Sequence, residues 1–238
     1  MGATLGPLLM ALVLLLKGNY RMAYAVLLCS ALLALAALGV ARFYFPDPSK
    51  LEIVPAAGAK GFSRPYWLLM LAGSCVAAGL VSFELISYHF SKTGIVGMDW
   101  IPVFFALAMG VDGIAGLIFG RLFDRRGMPV VMVAFLLSSL FAPFVFLGNF
   151  YMALVGMVLW GIGFGAQDTL LKALIAGILP QGRRNFAFGL FYTGYGAGWL
   201  VGSITTGLLY SRSLVLLVIF SIIMQLASIP LFLAAKKP

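Results

Sequence analysis

Three acidic residues, Glu84, Asp112 and Asp168, stand inside stretches otherwise free or nearly free of charge. Helical residues at i+3, i+4 and i+7 share a face, so Ser87, Tyr88 and Ser91 lie on the face of Glu84. This polar stripe suits a cavity wall or a protonatable site, and equally a residue near an interface that reaches water. Asp112 is followed at four-residue steps by Gly116 and Gly120, so its carboxylate lies on a face where a second helix approaches or a cleft opens. A carboxylate satisfied by a neighbouring Ser, Thr or backbone group is the plainer alternative. Asp168 and Lys172, four apart, are spaced for an intrahelical ion pair. Arg121, Arg125 or Arg126 would extend that pair into a cluster made in one conformation and broken in another. Tyr192, Tyr195, Trp199, Ser203 and Thr206 fall near one helical face, where aromatic bodies with polar tips suit either a binding cavity or interface packing. His89, the one histidine, reads as an interfacial hydrogen-bonder.

Catalytic and metal-binding signatures are missing. The sequence has no G-x-S-x-G elbow, no H-E-x-x-H pair and no phosphate loop. Gly161, Gly163 and Gly165 are not preceded by a strand pattern, so they read as helix-packing residues rather than a nucleotide box. Cys29 and Cys75 have no ligand spacing and read as small packing residues. An enzyme is therefore not expected, and neither is a bound cofactor.

The elements that carry these residues follow from composition. The chain has 238 residues, of which 63% are hydrophobic and 10% charged. That is more apolar surface than a water-soluble core of this size encloses. A helix spans a bilayer with ~20 mostly apolar residues, its backbone groups paired internally because no water reaches them. Stretches of this kind run over 3–16, 22–45, 66–90, 100–120, 128–148, 150–179, 186–210 and 214–235. The expected fold is all-α and polytopic, with about eight transmembrane helices. The first stretch is short and looks clipped, with Lys17 and Arg21 behind it rather than a basic segment ahead of it.

A formal charge of +9 invites a nucleic-acid reading, but the distribution of the basic residues argues against it. Twelve of the sixteen Lys and Arg fall on alternate loops, around 42–64, 121–126, 172–184 and 236–237, against four on the other side. The positive-inside rule makes the richer side, including the C-terminus, cytoplasmic. Segment 46–65 contains four prolines and reads as a cytoplasmic linker between two helices (1–45, the first truncated) and a six-helix bundle (66–238). Glycines at four-residue spacing mark close helix contacts: Gly194, Gly198 and Gly202, then Gly116 and Gly120, then Gly161 and Gly165.

Residues Gly120, Arg121, Leu122, Phe123, Asp124, Arg125, Arg126 and Gly127 join two spans on the basic side. They resemble the G-x-L-x-D-R-x-G signature of major facilitator superfamily transporters, in its later copy between the eighth and ninth helices. Gly2, Gly6 and Pro7 resemble the G-x-x-x-G-P start of the fifth-helix motif of antiporters. The stretch Gly165, Ala166, Gln167, Asp168, Thr169, with Lys172 and Pro180, is similar to the tenth-helix segment of uncharacterised permeases. The resemblance implies that the chain holds helices five to twelve: the C-terminal six-helix bundle plus two helices of the N-terminal half. It further implies that Asp124 caps a helix terminus across the two halves, with Arg121, Arg125, Asp168 and Lys172 forming an inner gate.

The function so implied is secondary active transport of a small solute by an incomplete chain in the cell inner membrane. Proton or other cation coupling would run through Glu84 or Asp112. The expected partners are lipid, a small-molecule substrate and a missing N-terminal half, with no nucleic acid. Gln167, Tyr192, Tyr195 and Trp199 would join Glu84, Tyr88 and Asp112 along the substrate or ion pathway. The competing class is a non-transporting membrane protein, either a scaffold or an enzyme acting on lipid.

Overall fold

The computed structural model describes residues 2–17, 20–44, 62–178 and 184–235. It is helical throughout these residues, without strands among them. Helices α1 (Gly2–Lys17) and α2 (Tyr20–Tyr44) form a hairpin. The next rod is broken into α3 (Arg64–Gly79) and α4 (Phe83–Thr93). Helix α5 (Ile101–Arg126) is continuous, α6 (Met128–Ser139) and α7 (Phe141–Leu147) bend at Leu140, and α8 (Phe150–Ala166) passes through a π turn (Gln167–Leu171) into α9 (Lys172–Ile178). Helices α10 (Arg184–Arg212) and α11 (Leu214–Ala235) complete eight rods. Six of the rods are long and apolar enough to cross a membrane. Helix α1 is shorter, and α10 is long enough but diluted by Gly, Tyr, Ser and Thr. The chain is an all-α polytopic membrane protein.

The expected linker 46–65 lies almost wholly outside the described residues; Phe62 and Ser63 lead into α3, whose first turn holds Pro65. Prolines also occupy the first turns of α5 and α6, where the missing N–H has no intrahelical partner to lose.

Large apolar side chains face outward as well as inward, unlike those of a soluble protein. Leu117, Ile118, Val133, Leu136, Ile204 and Ile223 face outward, while Ser138, Ser221, Gln225 and Ser228 are buried. Lipid accepts the first set, and neighbouring helices take the second. Inside, two clusters fill the bundle. Toward the Arg121–Gly127 end, Leu69, Phe119, Phe135, Ile175, Phe191 and Phe232 pack together, with Phe135 and Phe232 stacked at 5.3 Å. Toward the opposite end, Ile86, Phe90, Phe104, Phe146, Met157 and Leu217 do the same.

The break between α3 and α4 frees carbonyls that would be costly to leave bare in a membrane. The Gly79 carbonyl accepts from Ser221 Oγ at 2.6 Å and, more distantly, from Gln225 Nε2 at 3.5 Å. The Val81 carbonyl accepts from Trp160 Nε1 at 2.8 Å. Side chains of α8 and α11 thus replace the missing helical donors. One expectation fails here: Cys29, read as a packing residue, is exposed on α2 with its thiol directed at its own Ala25 carbonyl. The apolar window of α2 has none of its residues buried, so no helix among the described residues covers Cys29; Cys75 is half-buried.

Candidate functional site

The signature turn is tight. Only Gly127 separates α5 from α6, and it adopts φ 65° and ψ −138°, a backbone region that side-chain-bearing residues rarely enter. Gly120, eight residues along from Asp112, faces the π turn: a Cβ there would stand 3.3 Å from Thr169 Cγ2. The two motif glycines therefore answer to different demands, one on backbone conformation and one on helix contact. Between them Arg121, Asp124, Arg125 and Arg126 are all exposed, on the last two turns of α5.

The seam between α5 and α8 runs away from this turn. A Cβ on Gly161 would run into the Ala108 carbonyl, and one on Gly165 into the Asp112 carbonyl. A Cβ on Gly116 would sit 2.8 Å from Thr169 Oγ1. Small-residue spacing on both helices lets the backbones touch, and Gly163 does likewise toward Ser138. The Asp112 carboxylate lies over Gly165, within electrostatic reach of Asp168 and Lys172. It makes no side-chain hydrogen bond or ion pair among the described residues.

The π turn carries the next group. Its extra residue per turn shifts the register of α9 relative to α8, a feature common at functional sites. Lys172 and Asp168 form an ion pair at 3.6 Å, with side chains 51% and 63% exposed respectively. Among the described residues no arginine of the signature turn joins this pair. Gln167 is buried; its Oε1 accepts from the Tyr195 hydroxyl at 2.5 Å, and its Nε2 has no partner among the described residues. Tyr192 and Trp199 each lie 6.1 Å from Tyr195, centroid to centroid, and Trp199 meets Phe164 at 5.9 Å.

The glycine face of α10 is thus separate from its aromatic face. Gly194, Gly198 and Gly202 settle on Met70, Ser74 and Ala78 of α3, where Ser74 Oγ donates to the Gly194 carbonyl at 2.9 Å. Thr206 turns back to its own helix, donating to the Gly202 carbonyl at 2.8 Å.

At the opposite end a cavity of about 670 Å³ opens between α1, α2, α4 and α5. Ser87, Tyr88 and Ser91 line it. Glu84, the fourth residue of that stripe, does not; it is exposed in the first turn of α4, where the helix dipole favours a carboxylate. His89 holds the back of the same helix. It is buried, with Nδ1 3.1 Å from the Tyr210 hydroxyl, and Lys92 Nζ stands 5.7 and 5.4 Å from the ring centroids of Tyr88 and Tyr210. The sequence reads His89 as an interfacial hydrogen-bonder; its partner, 121 residues away, is set by the fold alone. Among the described residues no cluster of His, Cys, Asp and Glu is arranged to hold a metal ion.

The chain thus gathers its polar and charged groups along α5, the π turn, α10 and α4. A family model described as the Major Facilitator Superfamily matches residues 66–238. An uncharacterised protein of Mycobacterium tuberculosis is 31% identical over 245 residues, covering all of this chain and 60% of its own length. A probable 4-methylmuconolactone transporter of Cupriavidus pinatubonensis is 29% identical over 162 residues, covering 64% of this chain and 36% of its own. A lysosomal dipeptide transporter of Bos taurus is 22% identical over 186 residues, covering 77% and 40%. The chain therefore spans at most 60% of the length of these relatives.

Proposed function

Because the chain belongs to the Major Facilitator Superfamily, we propose that it is the C-terminal portion of a secondary transporter that carries a small organic solute across the cell membrane by alternating access. The observation that supports this most directly is the Asp168–Lys172 pair, exposed on a rod long and apolar enough to span the bilayer. A charge facing hydrocarbon costs about 2.5–3.5 kcal/mol on insertion scales. This face therefore serves a wet passage, completed by the remainder of a longer protein. Gln167, Tyr192, Tyr195 and Trp199 form its wall.

On this reading Arg121, Asp124, Arg125 and Arg126 act with Asp168 and Lys172 as the inner gate, on the cytoplasmic side with the C-terminus. Asp112, a carboxylate in the α5–α8 seam with no ion pair among the described residues, is the site at which a proton or another cation couples to transport; Glu84 is the second candidate. The cargoes for which two relatives are named, 4-methylmuconolactone and dipeptides, support a small organic solute as the class.

Proteoliposomes containing the full-length protein, screened for uptake with and without a pH gradient, test the reading. Asp168→Asn and Asp124→Asn are expected to lower initial uptake by about tenfold, the effect of losing ~1.4 kcal/mol, with membrane insertion unchanged. Wild-type uptake by both variants would remove the gate. If no solute moves under any gradient, a non-transporting membrane protein becomes the better account. Cysteines placed at Arg126 and at Ser211 report orientation: an impermeant thiol reagent in intact cells should reach only the second.

A further inference from the structure

The cavity beside Tyr88 has a chemistry unlike that of the Asp112, Asp168 and Lys172 group. Its volume, about 670 Å³, lies within the range of small-molecule pockets, ~300–1,000 Å³. Among the described residues no ionised side chain lines it. Met10 and Met98 supply soft, adaptable surface, and Phe83 contributes a ring. Its polar groups are hydroxyls with capacity to spare. Ser87 Oγ donates to the Glu84 carbonyl at 2.9 Å and Ser91 Oγ to Met98 Sδ at 3.4 Å, so both oxygens still accept. The hydroxyls of Tyr24 and Tyr88 have no partner among the described residues.

Tyr88 is nonetheless held in place. Its ring lies 5.7 Å from Tyr210 and is capped by the Lys92 ammonium, while Tyr210 is tied to buried His89. The clasp engages the Lys92 ammonium between two rings and leaves the Tyr88 hydroxyl without a partner among the described residues.

We infer that this cavity binds an uncharged, mainly apolar small molecule carrying hydroxyl or carbonyl groups, and that this molecule is the transported solute. The second half rests on the transport reading above; the first does not. An ionised ligand would lose its hydration here without meeting an opposite charge. A lipid chain would fill the space yet leave the tyrosine hydroxyls facing methylene groups. A neutral solute with polar tips answers both constraints.

The test uses the full-length protein in phospholipid nanodiscs, irradiated with benzophenone, an uncharged aryl ketone, and mapped by peptide mass spectrometry. Adducts are expected on Met10 and Met98. Ser87→Leu, which fills the cavity, should reduce them by about tenfold, and anionic 4-benzoylbenzoate should label them about tenfold less than the neutral probe. Should Ser87→Leu fail to give a monodisperse protein, Tyr88→Phe removes only the hydroxyl and should still cut labelling. Adducts spread over the lipid-facing surface of α2 and α11, or equal labelling by the anion, would overturn the site. A benzophenone-tailed phospholipid that labels the two methionines more strongly than free benzophenone would reassign it to lipid. A protein labelled at Met10 and Met98 that moves no solute keeps the site and sinks the transport reading. Transport by a protein with both methionines unlabelled does the reverse.

Discussion

Along the seam that leads to the signature turn, α5 and α8 meet backbone to backbone across Gly116, Gly161 and Gly165, whereas at the other end α4 meets α10 through rings, with Lys92 above Tyr88 and Tyr210. The glycine seam has no slack, because what opposes each missing Cβ is backbone or a short side chain. The ring contacts can be remade by rotating side chains. The glycine contacts hold the middle of α5 closely against α8 and Thr169 of the π turn. Adjustment is left to the region that borders the cavity.

The sharpest way to break that contrast is to put bulk into the seam. Gly165→Leu should cost about 1–3 kcal/mol or more, as overpacking does, and abolish the monodisperse peak in size-exclusion chromatography. Gly189→Leu, with nothing within 4 Å of its Cβ position, should behave as wild type. Equal behaviour of the two would dissolve the idea of a rigid seam. Next in size comes Trp160→Phe, which strips the donor from the Val81 carbonyl at the α3–α4 break. Leaving that carbonyl unpaired should lower stability by ~1–3 kcal/mol, read as a fall in melting temperature in detergent. The smallest effect is expected at the ring end. Tyr210→Phe removes the hydroxyl beside His89 but keeps the ring, and should cost about 0.5–1.5 kcal/mol. A larger loss there than in Gly165→Leu would invert the comparison.

Much of this arrangement was legible before any coordinates. The eight rods fall where the apolar stretches do. The four-residue glycine spacings of α5, α8 and α10 do mark close contacts, and Asp168 pairs with Lys172 as their separation implies. All of these are local: hydropathy sums over contiguous residues, and i, i+4 geometry needs only a helix. The breaks were not legible. The 66–90 stretch reads as one continuous span, yet it parts after Gly79 because Ser221 and Trp160 are in place to satisfy the freed carbonyls. The π turn at Gln167 left no mark in the periodicity. Glu84 precedes Ser87, Tyr88 and Ser91 at helical spacing, but it is exposed and does not line the cavity that the other three line.

The sequence by itself determined that the chain lives in lipid, how many rods it forms and which end carries the basic residues. The reason is that the cost of burying charge and unpaired backbone in hydrocarbon is paid segment by segment. Tertiary structure decided which polar groups find partners. Gln167 reaches Tyr195 across 28 residues, His89 reaches Tyr210 across 121, and Ser221 reaches the Gly79 carbonyl across 142. Such pairings depend on which faces of distant helices are pressed together, and no local pattern encodes that choice.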